Sequence, residues 1–357
     1  MGGSMSLFAG KGKPLVGLDI GAASIKLAEL RDGSGGGYVL EAAAIEPLPP
    51  GAIVESAIKD AQLVGEAVRR VLDKAGTTTR RVAIGVSGNA VIIKTITLPE
   101  MSELDLEGQI AYEADQYVPY DIDELNLDFH VLGPSEHEEG HMDVLLAVCK
   151  KGLVEEYQQL LDSAGLDLVC VDCAVLAIQN MAELIGNAQR AGAGQAIALV
   201  DIGGALLHVN ILVDGRTTFV RDHFIGGNDL TQAIQKETGM SFQQAEQLKL
   251  EDPAAIPAAA AERYHEQVAA EILRALDFYA ANHSQPVSRM LLSGGAALQP
   301  NLIEALAMRL DIELDLLQPF PTIALPNDKG FDPIEVRRQG PRMIEALGLA
   351  LRSGEQP

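Results

Sequence analysis

The sequence predicts an α/β protein made of two related lobes, one carrying an inserted α+β subdomain and the other a mostly helical insertion. Three observations predict it. The stretch LVGLDIGAASIKLAEL returns in the second half as IALVDIGGALLHVNIL, which puts Asp19 and Asp201 at equivalent bends at an offset of 182 residues. The agreement then continues over about 25 residues, each copy running strand, turn, strand, turn, strand. Outside these meanders, period-2 and helical-period segments alternate, which fits helices packed on mixed sheets.

The elements follow in order. SIKLAEL breaks at Arg31-Asp32-Gly33 and resumes as YVLEAAAIEPL. A helix is expected near Ser56–Lys74, with Ile58, Ala61, Val64, Val68 and Val71 on one face, followed by the strands RVAIGVSG and VIIKTITL. Ser102 with Asp105 starts a helix whose Leu106, Ile110, Ala114 and Tyr117 share a face. The alternating LNLDFHVL and MDVLLAVCK flank the polar loop GPSEHEEGH, and a helix near Leu153–Ala164 ends at Gly165. VCVDCAVLAIQNMAELIG reads as strand then helix, and Gly192–Gln195 as a flexible joint. In the second half HVNILVD, Gly215 and TTFVRDHFIGG complete the meander. A helical insertion from Gly227 to about Asn282 comes next, then the strand MLLSGG and the helix NLIEALAMRL. The tail PRMIEALGLALR is expected to pack back on the first lobe.

The domain expectation is therefore 14–94, 166–192 and 335–357 for the first lobe, with 95–165 as its insert. Residues 193–226 and 284–334 form the second lobe, with 227–283 as its helical subdomain. Met1-Gly2-Gly3-Ser4 ahead of Met5 reads as an added tag, and 1–13 as a disordered leader.

Composition narrows the function. At 357 residues and 47% hydrophobic content the chain buries more than one core. Fifty acidic against 27 basic residues, a net charge of −23, argue against nucleic-acid binding through phosphate neutralisation. There is no signal-peptide pattern and no run of about 18 apolar residues, so a cytoplasmic location is expected. Cys170 and Cys173 form a CxxC without a second ligand pair, so a structural role is expected for them, and the seven histidines lack metal-ligand spacing, so no metal site of that kind is expected.

The chemistry lies in the glycine turns. Glycine lets backbone amides approach anionic oxygens, and a strand-end carboxylate can hold Mg²⁺ through water, which nominates Asp19 and Asp201. Gly21, Ala22 and Ser24 in the first turn, and Gly203 and Gly204 in the second, suit phosphate. Lys26 joins them unless its strand points it to solvent. Ser293-Gly294-Gly295 ends an apolar strand before a helix, where an adenosine or α-phosphate can approach the backbone. Gly226-Gly227 precedes another helix, and Glu246 and Lys249 share a helical face that could bind ribose hydroxyls and base. Singly, each has an ordinary reading as a permissive turn or a surface ion pair; their fixed order within a duplicated architecture strengthens the set.

At this point the chain resembles the superfamily of actin, the heat-shock chaperone ATPases and the sugar kinases. Their two phosphate loops and one adenosine loop are matched in order by DIGAASIK, DIGGALLH and LLSGGAAL. Within it, the segment Glu113-Ala114-Asp115-Gln116-Tyr117-Val118-Pro119-Tyr120 and the ending Leu347-Gly348-Leu349-Ala350-Leu351-Arg352 are similar to the PilM family of type IV pilus assembly, with FtsA more distant. The resemblance implies an actin-like ATPase fold with duplicated ribonuclease-H-like lobes, ATP or ADP with Mg²⁺ between them, and a cytoplasmic scaffold peripheral to the inner membrane. It implies a groove between first lobe and insert for the N-terminal tail of PilN, with Asp115, Gln116, Tyr117 and Tyr120 near it. Other pilus components, PilO indirectly and the assembly ATPase PilB, and self-association are further expectations. It also places Asp172 near a water-positioning acid of related proteins. Where relatives carry hydroxyls after the second turn, this chain has Ala205-Leu206-Leu207-His208, so weak or no ATPase activity is expected. An FtsA-like or secretion-system adaptor and a small-molecule kinase are the alternatives. A dedicated base for the kinase is not evident, and the tail SGEQP lacks the basic amphipathic helix of an FtsA-like anchor.

Overall fold

In the computed structural model the described residues are 13–135, 138–186, 194–326 and 332–354. The expected tag and the first half of the joint at 192–195 lie outside them. The chain opens with an antiparallel meander of β1 (Val16–Ile20), β2 (Ser24–Asp32) and β3 (Tyr38–Pro47). Every residue of β1 is buried, as expected of an apolar strand covered on both faces. A hairpin of β4 (Ile53–Val54) and β5 (Ala57–Ile58) precedes α1 (Ala61–Ala75). The helix expected from Ser56 begins at Ala61 instead. Glu55 and Ser56 take left-handed φ values of 50° and 65° in the hairpin turn, and Asp60 caps the helix by accepting from the Leu63 amide at 3.0 Å. β6 (Arg81–Val86) follows.

The insert comprises β7 (Val91–Pro99), α2 (Glu103–Ala114), β8 (Leu125–Pro134) and β9 (His141–Lys150), its sheet ordered β7-β9-β8. Ser102 Oγ caps α2 by accepting from the Asp105 amide at 3.2 Å. Leu106, Ile110 and Ala114 then pack on Ile96, Leu98, Val144 and Leu146. Two expected boundaries differ. All of β7 pairs in this sheet, from Val91 opposite Cys149 onward, so the insert starts before residue 95. And α3 (Lys151–Ser163), expected within the insert, buries Tyr157, Leu160 and Leu161 in the core of the first lobe, because α2 already covers the insert's apolar sheet face. β10 (Asp167–Cys173) and α4 (Ala174–Leu184) complete this half.

The second half repeats the meander as β11 (Ala196–Ile202), β12 (Leu207–Val213) and β13 (Arg216–His223). The helical insertion is α5 (Gly227–Thr238), α6 (Phe242–Glu251) and α7 (Ala258–Ala280). After it come β14 (Val287–Ser293), α8 (Leu302–Leu310), β15 (Glu313–Leu316), β16 (Ile323–Ala324), α9 (Pro333–Gln339) and α10 (Ile344–Ala350). The two large sheets run β10-β6-β1-β2-β3-β16 and β13-β12-β11-β14-β15. In each, a meander continues into two parallel strands. β16 is the exception: Ile323 pairs with Tyr38, so residues expected in the second lobe finish on the first sheet.

α4 and α10 lie between the sheets. One core joins Leu30 and Leu40 of the first sheet, Ile197, Leu199 and Leu291 of the second, and Ile178, Met181, Ile344 and Leu347 of the two helices. The tail expected on the first lobe thus packs on both. At Gly348 a Cβ would stand 1.9 Å from the Ala177 carbonyl oxygen, so the helices touch backbone to backbone there.

Candidate functional site

The two Asp–Gly turns face one another across a cleft between the lobes. Its free space, open mouth and solvent included, is about 1110 Å³. The duplication holds at the level of single hydrogen bonds. Gly21 N–H donates to Ser24 O at 3.2 Å and Gly203 N–H to Leu206 O at 2.8 Å. Lys26 stands opposite Asp19 in the first hairpin and His208 opposite Asp201 in the second.

Asp19 and Asp201 are only 6% and 8% exposed. Lys26 Nζ lies 2.7 Å from Asp19 Oδ2, so this lysine points into the cleft and not to solvent. Ser293 Oγ donates to Asp201 Oδ1 at 2.7 Å from the neighbouring parallel strand. His208 Nδ1 lies 2.7 Å from Asp222 Oδ1. Burial works against a charged ring there, but the carboxylates of Asp222, Asp201 and Glu345 outweigh it and lift His208 to about 9, so it is an imidazolium at neutral pH. Glu345 reaches the same floor from α10. Burial, with Asp19 and Asp201 beside it, holds its carboxyl well above the usual carboxylate range.

The second wall is made by α5 and α6. A Cβ on Gly226 would come within 2.6 Å of the Gly203 and Gly204 carbonyl oxygens. The Gly227 and Asn228 amides donate to those same oxygens at 2.9 and 2.8 Å, and the Gly226 amide donates to Asp229 Oδ2 at 2.8 Å. Gly226-Gly227 is therefore a joint seating α5 on the second turn, with its N–H groups committed inside the protein. Glu246 and Lys249 both line the cleft as an ion pair with each other, and Lys249 Nζ also donates to Gly227 O at 2.9 Å and Thr231 Oγ1 at 2.7 Å. Burial pulls this lysine down and Glu246 opposes that pull.

Of the residues nominated from sequence, Asp19, Gly21, Ala22, Ser24, Lys26, Asp201, Gly203, Gly204, Gly227, Glu246, Lys249 and Gly295 line the cleft. Gly226 and Gly294 stand behind it, the latter with its amide donating to Pro341 O at 2.9 Å. Asp172 does not line the cleft. Its Oδ2 accepts from Arg352 Nε at 2.7 Å and its Oδ1 from the Cys173 amide at 2.8 Å. Asp115, Gln116, Tyr117 and Tyr120 lie on the insert, away from the cleft. Lys94 Nζ sits 4.7 Å over the Tyr117 ring and Lys150 Nζ 3.7 Å over that of Tyr120. The three cysteines are free thiols, and burial raises Cys149 to about 11. Among the described residues no group of three or more His, Cys, Asp or Glu could hold a metal ion directly.

Sequence reading missed His208, Arg342 and Glu345. The 182-residue offset would have found His208 as the counterpart of Lys26. The other two lie in the tail, outside the repeat, where nothing local marks them.

Two lobes of the same topology, each offering an Asp–Gly turn to a shared cleft, define the class: an actin-like ATPase fold. The family described as Type IV pilus assembly protein PilM matches residues 17–354, and the chain belongs to that family. Among solved structures it is similar to the PilM-PilN type IV pilus biogenesis complex, at 27% identity, covering 96% of this chain and 99% of that one with a TM-score of 0.83. It shares its fold with the ethanolamine utilization protein EutJ from Carboxydothermus hydrogenoformans, at 16% identity, 96% and 91% coverage and a TM-score of 0.56. The chain is thus an actin-like protein of type IV pilus assembly.

Proposed function

We propose that this chain is a nucleotide-binding scaffold in which the occupant of the cleft sets the position of the inserted subdomain, and through it the hold on a partner. The observation that carries this reading is a hydrogen-bonded path out of the cleft. His208 holds one oxygen of Asp222, and the other accepts from the Gly88 amide at 2.8 Å. Residues 88–90 run directly into β7, and Asn89 O accepts from the Tyr120 hydroxyl at 3.2 Å. A displacement of His208 therefore reaches the root of the insert through two hydrogen bonds.

The donor set suits ATP or ADP. The two turns, Lys26 and His208 would meet the phosphates, and Gly295, Glu246 and Lys249 the nucleoside. Arg342 Nε and Gln299 Oε1 are buried on the same wall without a protein partner, which supports a polar ligand there. Asp19 and Asp201 would hold Mg²⁺ through water, and the crowding of these two carboxyl groups with that of Glu345, which burial and their proximity push upward, is what a divalent cation would relieve. A bound Mg²⁺-nucleotide would supply the charge that the two turns, Lys26 and His208 are placed to meet. With Asp172 committed to Arg352 and no hydroxyls at Ala205-Leu206, we assign no catalytic base and expect weak or no hydrolysis.

The partner we propose is the N-terminal cytoplasmic tail of PilN, in a groove between the first lobe and the insert near Asp115, Gln116, Tyr117 and Tyr120. Among the described residues no helix is long and apolar enough to cross a membrane, so inner-membrane association would come through that partner. Titration with a fluorescent ATP analogue tests the nucleotide half. Asp19→Ala is expected to weaken binding by about tenfold or more, whereas a wild-type protein that binds no adenine nucleotide would sink the reading.

A further inference from the structure

Between Lys94 and Lys150 the chain carries 14 acidic residues and no lysine or arginine. Most of the molecule's excess negative charge therefore sits on the insert. Among the described residues of the insert, the exposed large apolar side chains are Leu104, 78% exposed, and Tyr112, 77% exposed. Both are on α2, on the face opposite the buried Leu106, Ile110 and Ala114. They stand two turns apart, roughly 12 Å, with Gly108 and Ala111 between them. A Cβ on Gly108 would have nothing within 4 Å, so no contact inside the chain requires a glycine that weakens an exposed helix. The result is an apolar strip with a low middle, edged by the exposed carboxylates of Asp105 and Glu107 and closed by Asp115. The opposite face of the insert's sheet turns to the second lobe, where Thr95 Oγ1 donates to Thr217 O at 3.3 Å. The strip is thus remote from the cleft.

We propose that this face of α2 docks a basic amphipathic helix of a partner protein. The partner's apolar ridge lies over Gly108 between Leu104 and Tyr112, and its lysines and arginines meet the rim carboxylates. Charge selects this occupant over the two alternatives. A second copy would bring an equally acidic insert to the strip, and an anionic lipid surface would be repelled. The inference stands independently of the nucleotide reading.

The test uses the full chain, a synthetic leucine–lysine amphipathic helix and a scrambled peptide of the same composition. Binding is read by fluorescence anisotropy and mapped by amide exchange. The amphipathic peptide should protect the α2 amides and bind about tenfold more tightly than the scrambled one. Leu104→Ser/Tyr112→Ser should remove that margin without changing the melting temperature, since both side chains are exposed. The proposal is overturned by no binding, by equal binding of the two peptides, by protection elsewhere, or by an unchanged margin in the double variant. A wild-type dimer abolished by the double variant would give the face to a second copy. Binding to phosphatidylglycerol vesicles abolished by the same variant would give it to lipid, and either result also overturns the proposal.

Discussion

Lys26 and His208 occupy the same place in the two hairpins, yet only the lysine was legible in the sequence. Metal-ligand spacing is the signal histidines carry in a sequence, and a lone histidine on a buried strand has none; its meaning comes from Asp222, a residue on the next strand. Because the folded ring is raised to about 9, its contribution to stability is fully present below the unfolded value of about 6.5 and is lost as pH rises through about 9. Urea unfolding of wild type across that range should show a fall on the order of 3 kcal/mol attributable to this ring. His208→Gln should flatten that part of the profile; an unchanged slope in the variant would mean that the imidazolium is not held as described. Asp19, Gly21 and Lys26 were readable because the turn and its cation are close in sequence. Glu345 was not, since only the fold brings α10 under the turns.

Among the elements, α2 was readable nearly to the residue because cap and apolar spacing are local properties. α3 was equally readable as a helix, but its address was not: an amphipathic face does not say which sheet will receive it, and the insert's sheet was already covered by α2. The packing of α10 on α4 shows the same limit. Gly348 looks like an ordinary tail glycine until α4 is seen against it. Gly348→Ala drives a methyl into the backbone of Ala177, and a loss of more than about 3 kcal/mol is expected in chemical denaturation. Gly108→Ala, on the open face of α2, should go the other way and stabilise the chain by about 0.5–1 kcal/mol. A mild effect at Gly348 would show that α4 and α10 can separate without cost.

For the whole molecule, the duplicated meander was enough to anticipate two lobes and a cleft, because a repeat of that length fixes a topology. The crossing of β16 to the first sheet and the lodging of the tail between both sheets were invisible, since each depends on contacts made only after the lobes have formed. Those crossings pack the lobes together, and the path from His208 through Asp222 to Gly88 links the cleft to the insert by hydrogen bonds. A linkage free energy between nucleotide and partner of about 1 kcal/mol or more is therefore expected. The most direct measurement is calorimetric titration of a peptide copying the PilN N-terminal tail, with and without saturating Mg²⁺ and a non-hydrolysable ATP analogue, in wild type and Asp222→Asn. A peptide Kd that shifts by about fivefold or more in wild type, and by much less in the variant, is the expected result. A Kd indifferent to nucleotide in wild type would contradict the claim that the cleft governs the insert.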